Sequence, residues 1–196
     1  MNRRNAQKIS GRTVAADAVR QWLDRGSFPD RTLDGVTSER AFVMEVTYGT
    51  VRWYAALVSI LESAVPNPPG YDVEAVLLTS LYQLLYMDNT EPYAVVNEGV
   101  ALAKSWAGPA MGNLVNAVLR RVIREEDEVR AFLRRQPYDV QVSHPRRLVD
   151  RWRRQFGERP MRELCGWNNE RPNVVLCVNR HRVPFDRFRH MLTEAG

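Results

Sequence analysis

The sequence predicts a mainly α-helical protein: a helical bundle over residues 1–136, followed by a small, incomplete α/β segment over residues 137–196. Two observations predict it. Apolar side chains recur at helical spacing up to about residue 136, most densely between Asp72 and Arg124. The first convincing strand signal comes only at Val174 to Val178, where β-branched and apolar residues surround Cys177.

The elements follow in order. Val14, Ala15, Ala18, Val19, Trp22 and Leu23 form the apolar face of a first helix, and Gly26 ends it. Arg4, Lys8 and Arg12 stand four apart and share one stripe if that helix reaches back to them. Phe28 to Thr37 reads as a connection. Ser38 is a suitable N-cap, with Glu39 in the first turn. The next helix runs to about Glu62 through Phe42, Val43, Val46, Trp53, Leu57 and Leu61, with a pause or kink at Gly49. Pro66 to Gly70 is a loop.

Three helices then follow in close succession. Val73, Val76, Leu77, Leu81, Leu84 and Leu85, with Leu78, Tyr82 and Tyr86 on the next face, make a helix apolar on most of its circumference. Such a helix belongs at the centre of the bundle. Asp88 to Glu91 break it, and Pro92 suits the first turn of the second helix. There Tyr93, Val96, Val100 and Asn97 share a face, and Asn97 is expected as a buried amide that ties helix ends together. Gly108-Pro109 ends that helix. The third begins near Ala110 and turns Met111, Leu114, Val115, Val118, Leu119 and Val122 inward. Asn113, Asn116, Arg120 and Arg124 fall opposite, with Arg121 on the flank.

The acidic run Glu125 to Glu128 reads as a solvated face leading into a short helix that ends near Arg135. Gln136 to Ser143 reads as a linker or an extended piece. His144-Pro145 opens a helix with Leu148, Val149, Trp152 and Phe156 inward, crowded by Arg146, Arg147, Arg151, Arg153 and Arg154. Gly157 ends it. A helix from about Pro160 to Trp167, the strand, and a last helix from about Pro184 to Glu194 complete the chain.

Charge narrows the function. The 196 residues carry a net charge of +5. Residues 1–119 hold 10 basic and 12 acidic side chains, whereas residues 120–196 hold 18 and 11. Lys8 and Lys104 are the only lysines among 28 basic residues. Arginine makes forked hydrogen bonds to phosphate and stacks on bases, so its clusters point to a polyanion. No apolar run reaches the roughly 18 residues a membrane helix needs. Cys165 and Cys177 are expected as free thiols in a reducing cytoplasm. The eleven glycines include no pair two residues apart, as a nucleotide loop would require. His144, His181, His190 and the two cysteines do not make a zinc spacing. No serine or cysteine sits in a nucleophile turn.

Several stretches together resemble one family. They are Ser38 to Arg52 (SERAFVMEVTYGTVR), Leu81 to Asp88 (LYQLLYMD), Ala94 to Lys104 (AVVNEGVALAK) and Asn113 to Arg121 (NLVNAVLRR). They resemble the NusB-like helical domain at the N-terminus of bacterial ribosomal RNA cytosine-C5 methyltransferases, the RsmB or Fmu/Sun family. Ser143 to Trp152 (SHPRRLVDRW), Phe156-Gly157, Asn168-Asn169 and Leu176 to Asn179 (LCVN) resemble the segment leading into that family's catalytic region.

The resemblance implies an RNA-handling bundle joined to a methyltransferase domain that binds S-adenosylmethionine and attacks cytosine with a cysteine following a proline. Here Cys165 follows Leu164 and Cys177 follows Leu176, and Cys177 stands where the family usually has arginine. The chain therefore reads as the front portion of a longer enzyme. It positions small-subunit ribosomal RNA for a catalytic domain in cis that it lacks. It carries no catalytic residue, cofactor site or metal site of its own. The candidate RNA contacts are Arg4, Lys8, Arg12, Arg52, Arg120, Arg121, Arg124, Arg146, Arg147, Arg151 and Arg154. The alternative is a stand-alone NusB-type antitermination factor. Such proteins usually lack the YGTVR and NAVLRR runs and end near residue 136. A pure protein-interaction module is a third reading, and it leaves the arginine bias unexplained.

Overall fold

The computed structural model describes residues 10–67, 69–88, 90–171 and 175–194. Among them are twelve helices and no strand. Helix α1 (Gly11–Arg25) is capped by Ser10, whose Oγ accepts from the Thr13 N–H. It ends at Gly26, whose φ of 64° is the left-handed turn glycine adopts without strain. The expected connection after it holds a single-turn helix, α2 (Pro29–Leu33), begun by its proline and anchored by buried Leu33.

The long helix expected from Ser38 is two helices, α3 (Arg40–Arg52) and α4 (Tyr54–Ala64). Glu39 rather than Ser38 precedes α3, in a left-handed conformation, and its carboxylate accepts from the Gly11 N–H at 2.6 Å. The break falls at Trp53 and not at Gly49. The Trp53 ring stacks on Tyr86, centroids 4.5 Å apart, and that packing sets the turn. Gly49 acts through its missing side chain instead, since a Cβ there would lie 2.0 Å from the Tyr82 ring. The glycine lets α3 press against the central helix.

That helix is α5 (Tyr71–Tyr86), with eleven buried residues. It packs on α1, α3, α4, α6 (Pro92–Ala107) and α7 (Pro109–Arg124), so it forms the axis of the bundle. Leu77, Leu78 and Leu81 are fully buried in one continuous core with Leu57, Ile60, Val115 and Leu119. Arg130, on α8 (Glu126–Arg135), donates to the Leu85 carbonyl and so satisfies the C-terminal end of α5. Glu126, Asp127 and Glu128 occupy the first turn of α8, where the helix dipole favours negative charge.

Helix α6 is turned relative to expectation. Its buried residues are Val95, Val96, Gly99 and Ala103, while Asn97 is exposed and Tyr93 is 74% exposed. The buried amide expected at Asn97 is therefore absent. The small side chains explain the rotation, since a Cβ at Gly99 would sit 3.1 Å from Ser80 Oγ and 3.5 Å from Leu119. α6 meets its neighbours along a Gly–Ala seam, with Val100 only partly buried at its edge and Tyr93 turned outward.

After the bundle, a single-turn helix α9 (Tyr138–Gln141) lies against α4. Ser143, at φ 53°, accepts from the Ala55 N–H at 2.8 Å. It thus supplies the N-terminal cap that α4 lacks locally. α10 (Arg146–Phe156) and α11 (Glu158–Asn169) pack together around Val149, Met161 and Cys165. Phe156, expected inward, is 47% exposed. Val175 to Val178 form no strand, and Val174 lies outside the described residues. A strand needs a partner for its N–H and C=O groups, and no described segment supplies one. A last helix, α12 (Phe185–Glu194), has no buried residue.

Candidate nucleic-acid interface

The arginines fall into two physical groups. Many are answered by a carboxylate one helical turn away. Arg130 pairs with Glu126, Arg159 with Glu163, and Arg162 with Glu158. Arg153 sits between Asp150 and Glu158, and these hydrogen bonds hold the Glu158 carboxyl below its ordinary range. Such i, i+4 pairs describe a solvated helix face.

The candidate residues divide along this line. Arg4 and Lys8 lie outside the described residues. Arg12 points inward. Its Nη1 meets Glu98 Oε1 at 2.5 Å, its Nε donates to Gln83 Oε1 at 2.8 Å, and its guanidinium lies over the Phe42 ring. The sequence places it on a solvent stripe with Arg4 and Lys8; the structure makes it a clamp between α1, α5 and α6. Arg52 is half-buried at the end of α3, with no ion pair among the described residues.

Arg120, Arg121 and Arg124 are all exposed on the last turns of α7. Arg121 and Arg124 share Glu125, at 2.8 and 2.7 Å, and their hydrogen bonds lower its carboxyl pKa. Arg120 has only a neutral partner: its Nε donates to Asn116 Oδ1 at 2.9 Å. Arg120 and Arg124 also border a groove of about 400 Å³ with Pro92, Tyr93, Val96 and Ile123.

On α10, Arg146 is 81% exposed with Asp150 at 3.8 Å. Arg147, Arg151 and Arg154 are exposed and have no carboxylate partner among the described residues. Their spacing of four and three puts them on one stripe, opposite Val149. α7 packs on α5, α6 and α8, whereas α10 packs on α9 and α11. The two arginine groups are thus built on separate parts of the chain.

Tyr93 was hidden from the sequence pattern, which assigned it to the core. Gly99 and Ala103 were the available signal, because small residues at helical spacing mark the close-packed seam and shift the exposed face by roughly a quarter turn. Among the described residues no three His, Cys, Asp or Glu side chains converge as metal ligands would. No described helix is long and apolar enough to cross a membrane.

The NusB family model matches residues 10–124, which contain the bundle's central helices and the α7 arginines. The chain belongs to the NusB family. Residues 144–196 match a second model, the ferredoxin-like domain of RsmF/B-like methyltransferases. The ribosomal RNA small subunit methyltransferase B of Pseudomonas putida is 33% identical over 194 residues, covering 97% of this chain and 42% of the relative. The probable enzyme of that name from Synechocystis is 30% identical over 183 residues, covering 87% of this chain and 41% of the relative. That from Escherichia coli is 28% identical over 193 residues, covering 94% and 44%. The chain therefore spans less than half the length of these relatives. A chain in a solved structure described as "Crystal Structure of a Plectonemic RNA Supercoil" superposes with a TM-score of 0.56 at 21% identity. It covers 60% of this chain and 94% of that one, and shares the fold.

Proposed function

We propose that this chain is the RNA-binding front portion of a ribosomal RNA cytosine-C5 methyltransferase. It positions small-subunit ribosomal RNA for a catalytic domain joined in cis. The observation that carries the reading is that Arg147, Arg151 and Arg154 share one face of α10 with no carboxylate partner among the described residues, whereas Arg153 on the same helix and Arg159 and Arg162 on α11 are each paired. Three guanidinium groups in line on one helical face, with no carboxylate between them, present the continuous positive charge and forked donors that suit a phosphate backbone. The stripe also lies in the stretch matching the methyltransferase ferredoxin-like domain, which favours this reading over a stand-alone antitermination factor.

S-adenosylmethionine, the methyl donor this reading implies, does not fit the residues present. Cys165 is fully buried beside Met161, and burial pushes its thiol pKa up. It is a core side chain, not an attacking group. Cys177 is exposed but follows leucine, and no close glycine pair offers a cofactor loop. The contribution of this chain is to hold RNA, through its exposed arginines, in a cytoplasmic enzyme.

The test is fluorescence anisotropy with a small-subunit ribosomal RNA hairpin across a salt series. Each phosphate neutralised on single-stranded RNA adds about −0.7 to the log–log slope. The R147A/R151A/R154A variant should flatten the slope by about two units if each arginine meets one phosphate. Wild-type binding that is absent at low salt, or a slope the variant leaves unchanged, refutes the reading.

A further inference from the structure

We propose that the groove between α6 and α7 holds one unpaired nucleotide of the bound RNA, its base on Tyr93 and its phosphate on Arg120 and Arg124. The inference rests on the RNA reading above and names a site within it. The groove's volume, about 400 Å³, falls within the range of small-ligand clefts, about 300–1,000 Å³. Its floor is apolar, formed by Pro92, Val96 and Ile123, and none of its lining residues is acidic.

Three features fit a nucleotide. Tyr93 is 74% exposed, so its ring is not part of the core. Sequence-tolerant recognition of single-stranded RNA combines such a ring with cations that track the backbone. Arg120 is the better-placed cation. Its Nε is held by Asn116 Oδ1, which fixes the plane of the guanidinium, and its two terminal nitrogens have no partner among the described residues. Arg124 contributes less, because one of its nitrogens already meets Glu125 at 2.7 Å. Asn116 is thus a positioning residue, while Tyr93 and Arg120 touch the ligand. Only an unstacked base can enter, so the groove selects loops and bulges over continuous helix.

The experiment uses the whole chain and a single-stranded ribosomal RNA oligonucleotide with 2-aminopurine at successive positions. Binding should quench the probe at one position through stacking on Tyr93. Y93A should abolish that quench and weaken binding about 5- to 150-fold. Y93F should retain both, because the ring and not the hydroxyl is required. N116A should weaken binding and R120A should weaken it more. Tyr93 is exposed, so Y93A leaves the fold intact, and a far-UV circular dichroism spectrum checks it. If the α10 triple variant loses affinity while Y93A keeps both affinity and quench, the groove holds no base and the RNA reading stands alone. If the wild-type chain binds no RNA at low salt, both readings fall.

Discussion

Gly49→Ala tests the packing of the bundle most directly. The added methyl would lie 2.0 Å from Tyr82 Cζ and 2.2 Å from its hydroxyl, far inside van der Waals contact. Tyr82 has nowhere to go. It is 3% exposed, its hydroxyl donates to Glu45 Oε1 at 2.6 Å, and its ring stacks on Tyr86 at 5.8 Å. Tyr86 stacks in turn on Trp53. Two effects oppose each other. Alanine in place of glycine inside a helix favours folding by about 1 kcal/mol. Overpacking a filled site costs about 1–3 kcal/mol, and losing a hydrogen bond to a charged group about 1.5–3 kcal/mol. The balance is destabilisation by roughly 1.5–5 kcal/mol. Urea denaturation followed by circular dichroism would read it as a lower midpoint with unchanged slope. G49A/Y82L should recover part of the loss relative to Y82L alone, because the double variant removes the clash. A G49A protein as stable as wild type, or more so, would show that helix propensity governs this contact and that Tyr82 is free to move.

Alkaline pH should act on the same aromatic stack. Burial pushes the Tyr86 phenol from its ordinary 10.0 up to about 12, and Tyr82 is raised in the same direction by burial and by Glu45. Because the folded pKa is the higher, Tyr86's contribution is fully present below pH 10 and is lost as pH rises toward 12, by about 2–3 kcal/mol. Urea midpoints measured from pH 8 to 12 should fall more steeply for wild type than for Y86F. Leu81→Ala, at a fully buried site on α5, should cost about 2–5 kcal/mol in the same denaturation assay. Ser143→Ala should cost about 0.5–2 kcal/mol, with faster hydrogen exchange at the Ala55 amide as its signature; unchanged protection there would mean the cap is not formed in solution.

Much of this architecture is legible where one helix carries its own signal. α5 is apolar almost all round and α7 keeps a strict inward stripe, and both occupy the places the pattern assigns. The pattern fails where a partner distant in sequence decides. Arg12 turns inward because Gln83 and Glu98 wait for it on two other helices. The face of α6 is set by how closely small residues let Ser80 and Leu119 approach. Trp53 breaks a helix because Tyr86 offers a stacking surface, a fact no local propensity holds. The segment around Val175 has strand-forming residues but no described neighbour to pair with. For the candidate interface, composition shows only that arginine is abundant. Which arginines remain available depends on the carboxylates folding brings beside them.

Ser143's cap on α4 has a mechanical consequence. A loose tether of the length of residues 136–145 would let the two halves of the chain sample a wide volume, and any cooperation between them would depend on effective concentration. Instead α9 rests on α4, and the cap at Ser143 fastens the chain just ahead of Arg146, where α10 begins. α10 therefore leaves the bundle from a fixed base. An RNA held by both halves would meet a bracket of set span rather than a leash. On the RNA reading proposed above, two such grips would act as a ruler for the distance between bound segments.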